Sequence, residues 1–358
     1  MGDFHVNLGP HAHPVQVGAG ALDRVGELAR ATGLKPGRAA IVTDSVVAPM
    51  YAERVAISLR AAGFEPATVV VAAGEASKSL ATLSDLFDRF AAAGLDRSSA
   101  VFALGGGVVG DLAGFAAAVW MRGIAVVQIP TTMLAQVDSA LGGKTGINHA
   151  SAKNLIGAFH QPRLVVADVA ALATLPDRAF REGLAEVIKY GAITDAPMIA
   201  ALEAAMPAIL RRDPETLVEF VERSLRHKTF VVENDERESG LRKILNFGHT
   251  VGHALEASAG YGSLLHGEAV AIGMGAATAL SRAYANLSET DAERLLALIR
   301  SAGLETRLPS GWRGAEFERA LKLDKKRAGA GVEFVLIDRL GHAFTKQLGF
   351  DEIISALA

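Results

Sequence analysis

The sequence predicts an α/β protein: a Rossmann-like, mostly parallel sheet domain followed by a mainly α-helical domain. Two observations carry this. Over the first half, short apolar runs alternate with amphipathic stretches of helical period, the rhythm of strand–helix–strand units whose sheet is covered on both faces. Past about Leu175, strand patterns nearly vanish until 332–337 and long 3.6-period segments take over. The boundary is therefore placed there, giving an α/β domain over 1–175 and a helical domain over 176–358. The length of 358 residues suits two domains, and a 50% hydrophobic composition supplies apolar surface for large cores.

In chain order, residues 39–43 (Ala39-Ala40-Ile41-Val42-Thr43) read as a strand, 52–63 as a helix, 67–71 as a strand and 80–94 as a helix. Then come 100–104 as a strand, 112–121 as a helix and 125–129 as a strand. Pro176-Asp177 marks a helix start, and the segments 177–190, 197–211, 214–232, 250–257, 268–285 and 289–302 follow with helical period.

Composition narrows the function classes. The net charge of −3 argues against a general nucleic-acid binder. The absence of Cys excludes disulfides, thiolate-bound zinc, iron–sulfur clusters and thiol nucleophiles, and it fits a reducing, cytoplasmic setting. The apolar runs 112–121 and 269–281 are bounded by Asp111 and Arg122, and by Glu268 and Arg282. Both fall short of the roughly 18–20 residues that a spanning helix needs. The N-terminus lacks a basic region followed by an apolar stretch, so no secretory signal and no membrane association are expected.

Three clusters carry chemistry. Val101-Phe102-Ala103-Leu104 runs into Gly105-Gly106-Gly107-Val108-Val109-Gly110-Asp111, so Gly105, Gly107 and Gly110 satisfy G-x-G-x-x-G between a strand and a helix. Such a loop lets backbone approach a pyrophosphate at a helix N-terminus; it also simply makes a tight turn. The acid usual about 20 residues later is missing, and Asp44, after the first clear strand, is the substitute for a ribose contact or else a turn and capping residue. Second, Arg122, Thr131, Thr132, Gln136, Asp138, Lys144, Thr145, Asn148, Lys153 and Asn154 gather among small residues, which suits a phosphate- or carboxylate-bearing ligand. Third, His249 and His253 stand at i and i+4, and His266 follows. Without Cys, two His and a carboxylate make the expected catalytic metal site, the acid coming from Glu186, Glu256 or Glu268. Spacing leaves open which two of the three His bind. Thr250 occupies the Glu position of H-E-x-x-H, so this is not that protease motif. Glu186 and Lys189, one turn apart in an apolar helix, are an ion pair or part of a site.

Together these stretches resemble the 3-dehydroquinate synthase family of sugar phosphate cyclases over essentially the whole chain. The resemblance rests on 105–111, 121–123, 128–139, 142–148, 153–157, 186–191, 245–253, 266–268 and 324–326. It implies an NAD-binding α/β domain, a helical metal domain and an active site in the cleft between them. It implies Glu186, His249 and His266 as ligands of one divalent ion, Zn²⁺ or Co²⁺, with His253 a catalytic histidine. Catalytic roles further fall to Lys189, Lys144, Asp138 and Asn246, and substrate binding to Lys153, Asn154, Lys228, Arg242 and Lys325 or Lys326. Arg122 is similar to an arginine that reaches the phosphate from a partner subunit, which implies a homodimer. Asp44, Glu75, Lys78, Gly107, Val108, Val109, Gly110, Asp111, Thr131, Thr132, Lys144, Lys153 and Thr174 match NAD contacts. The implied reaction turns 3-deoxy-D-arabino-heptulosonate 7-phosphate into 3-dehydroquinate and phosphate, through transient NAD-dependent oxidation, phosphate elimination, re-reduction, ring opening and aldol closure. Other sugar phosphate cyclases and metal-dependent polyol dehydrogenases are the rival enzyme classes, and a non-catalytic descendant of the fold is a further one. Arg242, Asn246 and His253 favour a carboxylate-bearing substrate, and the many cations set the chain apart from the dehydrogenases.

Overall fold

The computed structural model describes residues 2–237, 240–259, 263–312, 317, 319 and 331–357. The chain divides into two units, one of residues 1–175 with 217–233, the other of 176–216 with 234–358.

In the first unit, strands β1 (Gly2–Val6), β2 (His13–Gly18), β3 (Arg38–Asp44), β4 (Glu65–Val71), β5 (Ala100–Gly105), β6 (Ala125–Pro130) and β9 (Leu164–Asp168) form a seven-stranded sheet in the order β1-β2-β9-β6-β5-β3-β4. Only the β1–β2 pair is antiparallel. The strands read as continuous apolar runs because both faces are buried. Ala39, Ile41, Phe102 and Leu104 pack with helices α1 (Val25–Ala31) and α2 (Glu53–Ala61). Ala40, Val42, Val101 and Ala103 pack on the other face with α3 (Leu80–Ala92) and α4 (Gly107–Val119). The chain therefore leaves β3 towards one face and β5 towards the other, and these neighbouring strands make the topological switch point where such sheets bind ligands.

The structure departs from the sequence reading in several places. Helix α4 begins at Gly107, not 112, so the glycine motif is its first turn and Gly106 its N-cap. The small residues that look like a loop in sequence are helical because a helix start needs only φ/ψ, not apolar periodicity. Strands β1, β2 and β9, and the antiparallel hairpin β7 (Lys144–His149) with β8 (Ala152–Phe159), went unread. The hairpin's apolar residues are interrupted by Lys144, Asn148, His149, Lys153 and Asn154, and its strand form is imposed by pairing and by packing on α4, where Ile147 joins the core.

In the second unit, α5 (Asp177–Thr194), α6 (Ala196–Leu210), α8 (His249–Ala259), α9 (His266–Tyr284) and α10 (Glu289–Ser301) match the expected helices within a few residues. A hairpin of β10 (Val332–Arg339) and β11 (His342–Leu348) and a short helix (Phe350–Ala356) complete the described part. Helix α7 (Pro214–Asn234) was assigned to the helical domain, yet Leu217–Glu233 belong to the first unit. The reason is tertiary: Arg226 stacks on Phe4 at 4.5 Å, Glu233 accepts from the Asn7 amide at 3.0 Å, and Lys228 donates to Asp138. Among the described residues, no helix is long and apolar enough to cross a membrane.

Candidate functional site

The parallel strands of the first unit bring several expected residues to one edge. Asp44 ends β3, Gly105 ends β5, and Thr131 and Thr132 follow β6. At that edge α4 opens on Gly107, Val108, Val109 and Gly110, with its first N–H groups unpaired by its own helix. The turn is crowded on its inner side: a Cβ on Gly110 would lie 2.8 Å from the Gln128 Oε1, and one on Gly107 3.0 Å from the Ser139 hydroxyl. Asp44 Oδ1 accepts from the N–H groups of Val46 and Val47 at 2.8 and 2.9 Å, so its turn role is realised here. Thr174 exchanges a 2.6 Å hydrogen bond with the Tyr51 hydroxyl. The Thr131 hydroxyl is buried and finds no partner among the described residues.

Two charged constellations lie in the same unit. Lys78, buried, donates to Asp111 Oδ2 at 2.7 Å and to Asn154 Oδ1, with Glu75 Oε1 at 4.0 Å. Burial pushes the Asp111 carboxyl up from its ordinary value, and the Lys78 ammonium pulls it part of the way back. Asn148 bridges the group: its side chain donates to Glu75 at 2.7 Å and accepts from the Asn154 N–H at 2.9 Å. Asn154 itself sits at a φ of +56°, a backbone state that Asn tolerates better than most residues. Its local sequence carried no sign of that network. Elsewhere Lys228 donates to the carbonyl and to Oδ1 of Asp138, both at 2.8 Å. Lys144, exposed, opens β7, and Lys153, half-buried, stands on β8. Arg122 is exposed at a φ of +70°, directly after Met121 at +52°, an uncommon pair for non-glycine residues.

The second unit holds the metal candidates. Residues 183–193 of α5 are buried throughout, so Glu186 and Lys189, one turn apart, are both enclosed. The Lys189 ammonium lies against Glu186 Oε2 as an ion pair. Glu186 Oε1 accepts no hydrogen bond among the described residues. Facing Glu186 Oε1 are the Nε2 atoms of His249 at 3.5 Å and His266 at 3.8 Å. Donor atoms of Glu186, His249 and His266 all fall within 4.8 Å of one another. Burial holds the His249 imidazole well below its ordinary pKa, and the Lys189 charge adds to the effect, so the ring is a neutral donor. A buried carboxylate oxygen lacking hydrogen bonds and two imidazole nitrogens form the oxygen and nitrogen set that a divalent ion takes.

Close helix packing places these groups. Gly248, at a φ of +82°, precedes His249, and a Cβ there would lie 2.8 Å from the Met274 backbone nitrogen on α9. Of the acids that spacing left open, Glu186 groups with His249 and His266, and Glu256 with His253 and His266. Glu268 is a capping residue, accepting from the Leu265 N–H at 2.9 Å and gripped by Arg178 at 2.7 and 2.8 Å. Glu256 lies on the far side of His266, its Oε2 3.4 Å from Nδ1. His253, exposed, has its ring centroid 5.3 Å from that of His249 and 5.9 Å from that of His266. Arg242 is buried and donates to the Glu236 carbonyl, while Asn246 stands three residues before His249. Glu182, missed in the sequence, accepts from the Gly267 N–H at 3.0 Å, and burial pushes its carboxyl up. Lys325 and Lys326 lie outside the described residues.

A glycine-opened helix at the switch point of a parallel sheet, in a chain that also carries a buried Glu–His–His group, suits an enzyme that binds a dinucleotide and a divalent ion. Residues 68–182 match the family model described as 3-dehydroquinate synthase N-terminal, and residues 183–327 the model described as 3-dehydroquinate synthase C-terminal. The chain belongs to the 3-dehydroquinate synthase family, whose members are phosphate-eliminating lyases. It is 49% identical to the 3-dehydroquinate synthase of Citrifermentans bemidjiense over 94% of this chain and 93% of that one. Among solved structures it is similar to ValA, a 2-epi-5-epi-valiolone synthase from Streptomyces hygroscopicus subsp. jinggangensis 5008 with NAD⁺ and Zn²⁺ bound. That match has a TM-score of 0.87 and 30% identity over 96% of this chain and 95% of that one. It is also similar to a 2-deoxy-scyllo-inosose synthase complexed with carbaglucose-6-phosphate, NAD⁺ and Co²⁺, with a TM-score of 0.86 and 25% identity over 99% of each.

Proposed function

We propose that the chain converts 3-deoxy-D-arabino-heptulosonate 7-phosphate into 3-dehydroquinate and phosphate, with NAD and one divalent ion, Zn²⁺ or Co²⁺, as cofactors. The observation that carries the metal part is the fully buried Glu186, whose Oε1 accepts no hydrogen bond among the described residues and faces the Nε2 atoms of His249 and His266, while Oε2 is paired with Lys189. When bound, NAD supplies a reversible hydride acceptor and the ion a Lewis acid for the hydroxyl being oxidised.

The chain's own residues take the remaining work. The first turn of α4, with Gly107, Val108, Val109, Gly110 and Asp111, and the edge residues Asp44, Glu75, Lys78, Thr131, Thr132, Lys144, Lys153 and Thr174, hold the dinucleotide. Lys78 links that set to the substrate residue Asn154 through one ammonium. Lys153, Lys228, Arg242, Asn154 and one of Lys325 and Lys326 balance the carboxylate and phosphate of the substrate, and Arg122 serves the phosphate of a partner subunit in a homodimer. Asp138, held by Lys228, and Asn246 orient hydroxyl groups. His253 accepts and returns the proton of the hydroxyl being oxidised, and Lys189 supplies a fixed charge beside Glu186. The phosphate's own oxygens accept the proton lost in its elimination, which explains why no further carboxylate is needed as a base. The setting is the cytoplasm, with no nucleic acid or membrane as partner.

The test is phosphate release from the heptulosonate 7-phosphate by cofactor-stripped protein, with and without added NAD. Release that depends on NAD while the NAD concentration stays constant is the expected result. Stoichiometric accumulation of NADH would indicate a dehydrogenase and overturn the assignment.

A further inference from the structure

We propose that Glu256 is the positioning residue for His266: its carboxylate accepts a hydrogen bond from Nδ1–H, which leaves the Nε2 lone pair for the metal ion. This rests on the metal reading above. A neutral imidazole carries one N–H, and only the other nitrogen can bind a cation. The two nitrogens of His266 face two different carboxylates, Nδ1 at 3.4 Å from Glu256 Oε2 and Nε2 at 3.8 Å from Glu186 Oε1. Were the proton on Nε2, it would point at Glu186 and block the ion.

His249 meets the same requirement differently, with Nδ1 3.3 Å from the Phe247 carbonyl. His266, like His249, is the first residue of its helix, and its Nδ1 faces a side-chain oxygen instead. Glu256 supplies it from α8, seven residues after His249 and therefore on the same helix face. The backbone around His266 is held independently: Glu268 accepts from the Leu265 N–H and Glu182 from the Gly267 N–H. Glu256 thus sets the ring rather than the helix, and its loss leaves the start of α9 in place.

The experiment compares wild type, Glu256→Ala, Glu256→Gln and His249→Ala by competition of Zn²⁺ and Co²⁺ against a chelator, with the melting temperature of each metal-free protein. Wild type and both Glu256 variants are expected to bind one equivalent. Glu256→Ala should bind about 10- to 100-fold more weakly. Glu256→Gln keeps an acceptor oxygen but not the charge, and should recover part of the loss. The metal-free Glu256 variants should melt within about 2 °C of wild type, a shift of about 1 kcal/mol or less. A Glu256→Ala dissociation constant within about twofold of wild type would refute the positioning role. So would a second metal equivalent in wild type that vanishes in both Glu256 variants, since Glu256 would then be a ligand. Unchanged binding in His249→Ala would instead overturn the metal reading, and this proposal with it.

Discussion

The enclosed Glu186–Lys189 pair yields a quantitative prediction. Lys189→Met keeps the aliphatic stem and removes the ammonium, leaving Glu186 buried in metal-free protein without its counter-charge or a hydrogen bond. Glu186 is 0% exposed and Lys189 2%, so water does not replace the lost charge. Breaking one partner of such a pair costs about 3–5 kcal/mol. The 5.1 Å contact of the buried ammonium with the Tyr190 ring adds about 2 kcal/mol. A unit of this size shifts by about 2–4 °C per kcal/mol, so calorimetry of metal-free protein should find its transition lowered by about 10–28 °C. Saturating Zn²⁺ should close most of the gap, because the ion supplies Glu186 with positive charge. The double variant Glu186→Gln/Lys189→Met should recover most of the loss, since it leaves no unpaired charge. A metal-free Lys189→Met protein melting within about 2–4 °C of wild type, or a double variant no better than the single, would refute the reasoning.

Further outcomes follow from other contacts. Chelation should abolish turnover and Zn²⁺ or Co²⁺ restore it; full activity in protein shown to be metal-free by elemental analysis would reject the ligand set. His253→Ala should lower kcat by about 100-fold or more while leaving metal stoichiometry unchanged, as steady-state kinetics with metal analysis will read. Gly248→Ala combines an unfavourable φ with a Cβ 2.8 Å from the Met274 backbone nitrogen, and should cost about 2–5 kcal/mol in urea denaturation. Stability within about 0.5 kcal/mol of wild type would contradict the packing argument. Burial holds His13 below its ordinary range, the His11 carbonyl at its ring opposing the shift and His5 adding to it. The unfolded chain therefore binds a proton first as pH falls, so this contribution to stability is present above pH 6.5 and is lost towards the lower folded value. Its slope cannot exceed about 1.4 kcal/mol per pH unit, and His13→Gln should flatten the stability profile as pH falls below 6.5.

Much of the fold was legible because the signals are local. The core strands β3 to β6 announce themselves as apolar runs, and α5, α6, α9 and α10 by period and caps. What stayed hidden depends on partners distant in sequence. The hairpin of β7 and β8 has little apolar pattern of its own, and Leu217–Glu233 join the first unit through Phe4, Asn7 and Asp138. For the candidate site, spacing nominated three histidines and three acids but had no means of ranking them, since ligand choice is a question of distance and burial. The family motif, and not periodicity, singled out Glu186. Glu182 carried no signal, as an acid in the first half of an amphipathic helix is ordinarily solvent-facing.

Residue type and order alone determined the α/β class, the switch to helices near residue 175, the family and the inventory of groups able to bind anions and a metal ion. Only the folded chain decided which oxygen faces which nitrogen: Glu186 towards His249 and His266, Glu268 towards Leu265 and Arg178, Glu256 towards the other nitrogen of His266. The division has a physical cause. Secondary structure and composition are properties of neighbours along the chain, whereas a carboxylate's role is set by the few ångströms around it once helices far apart in sequence have packed.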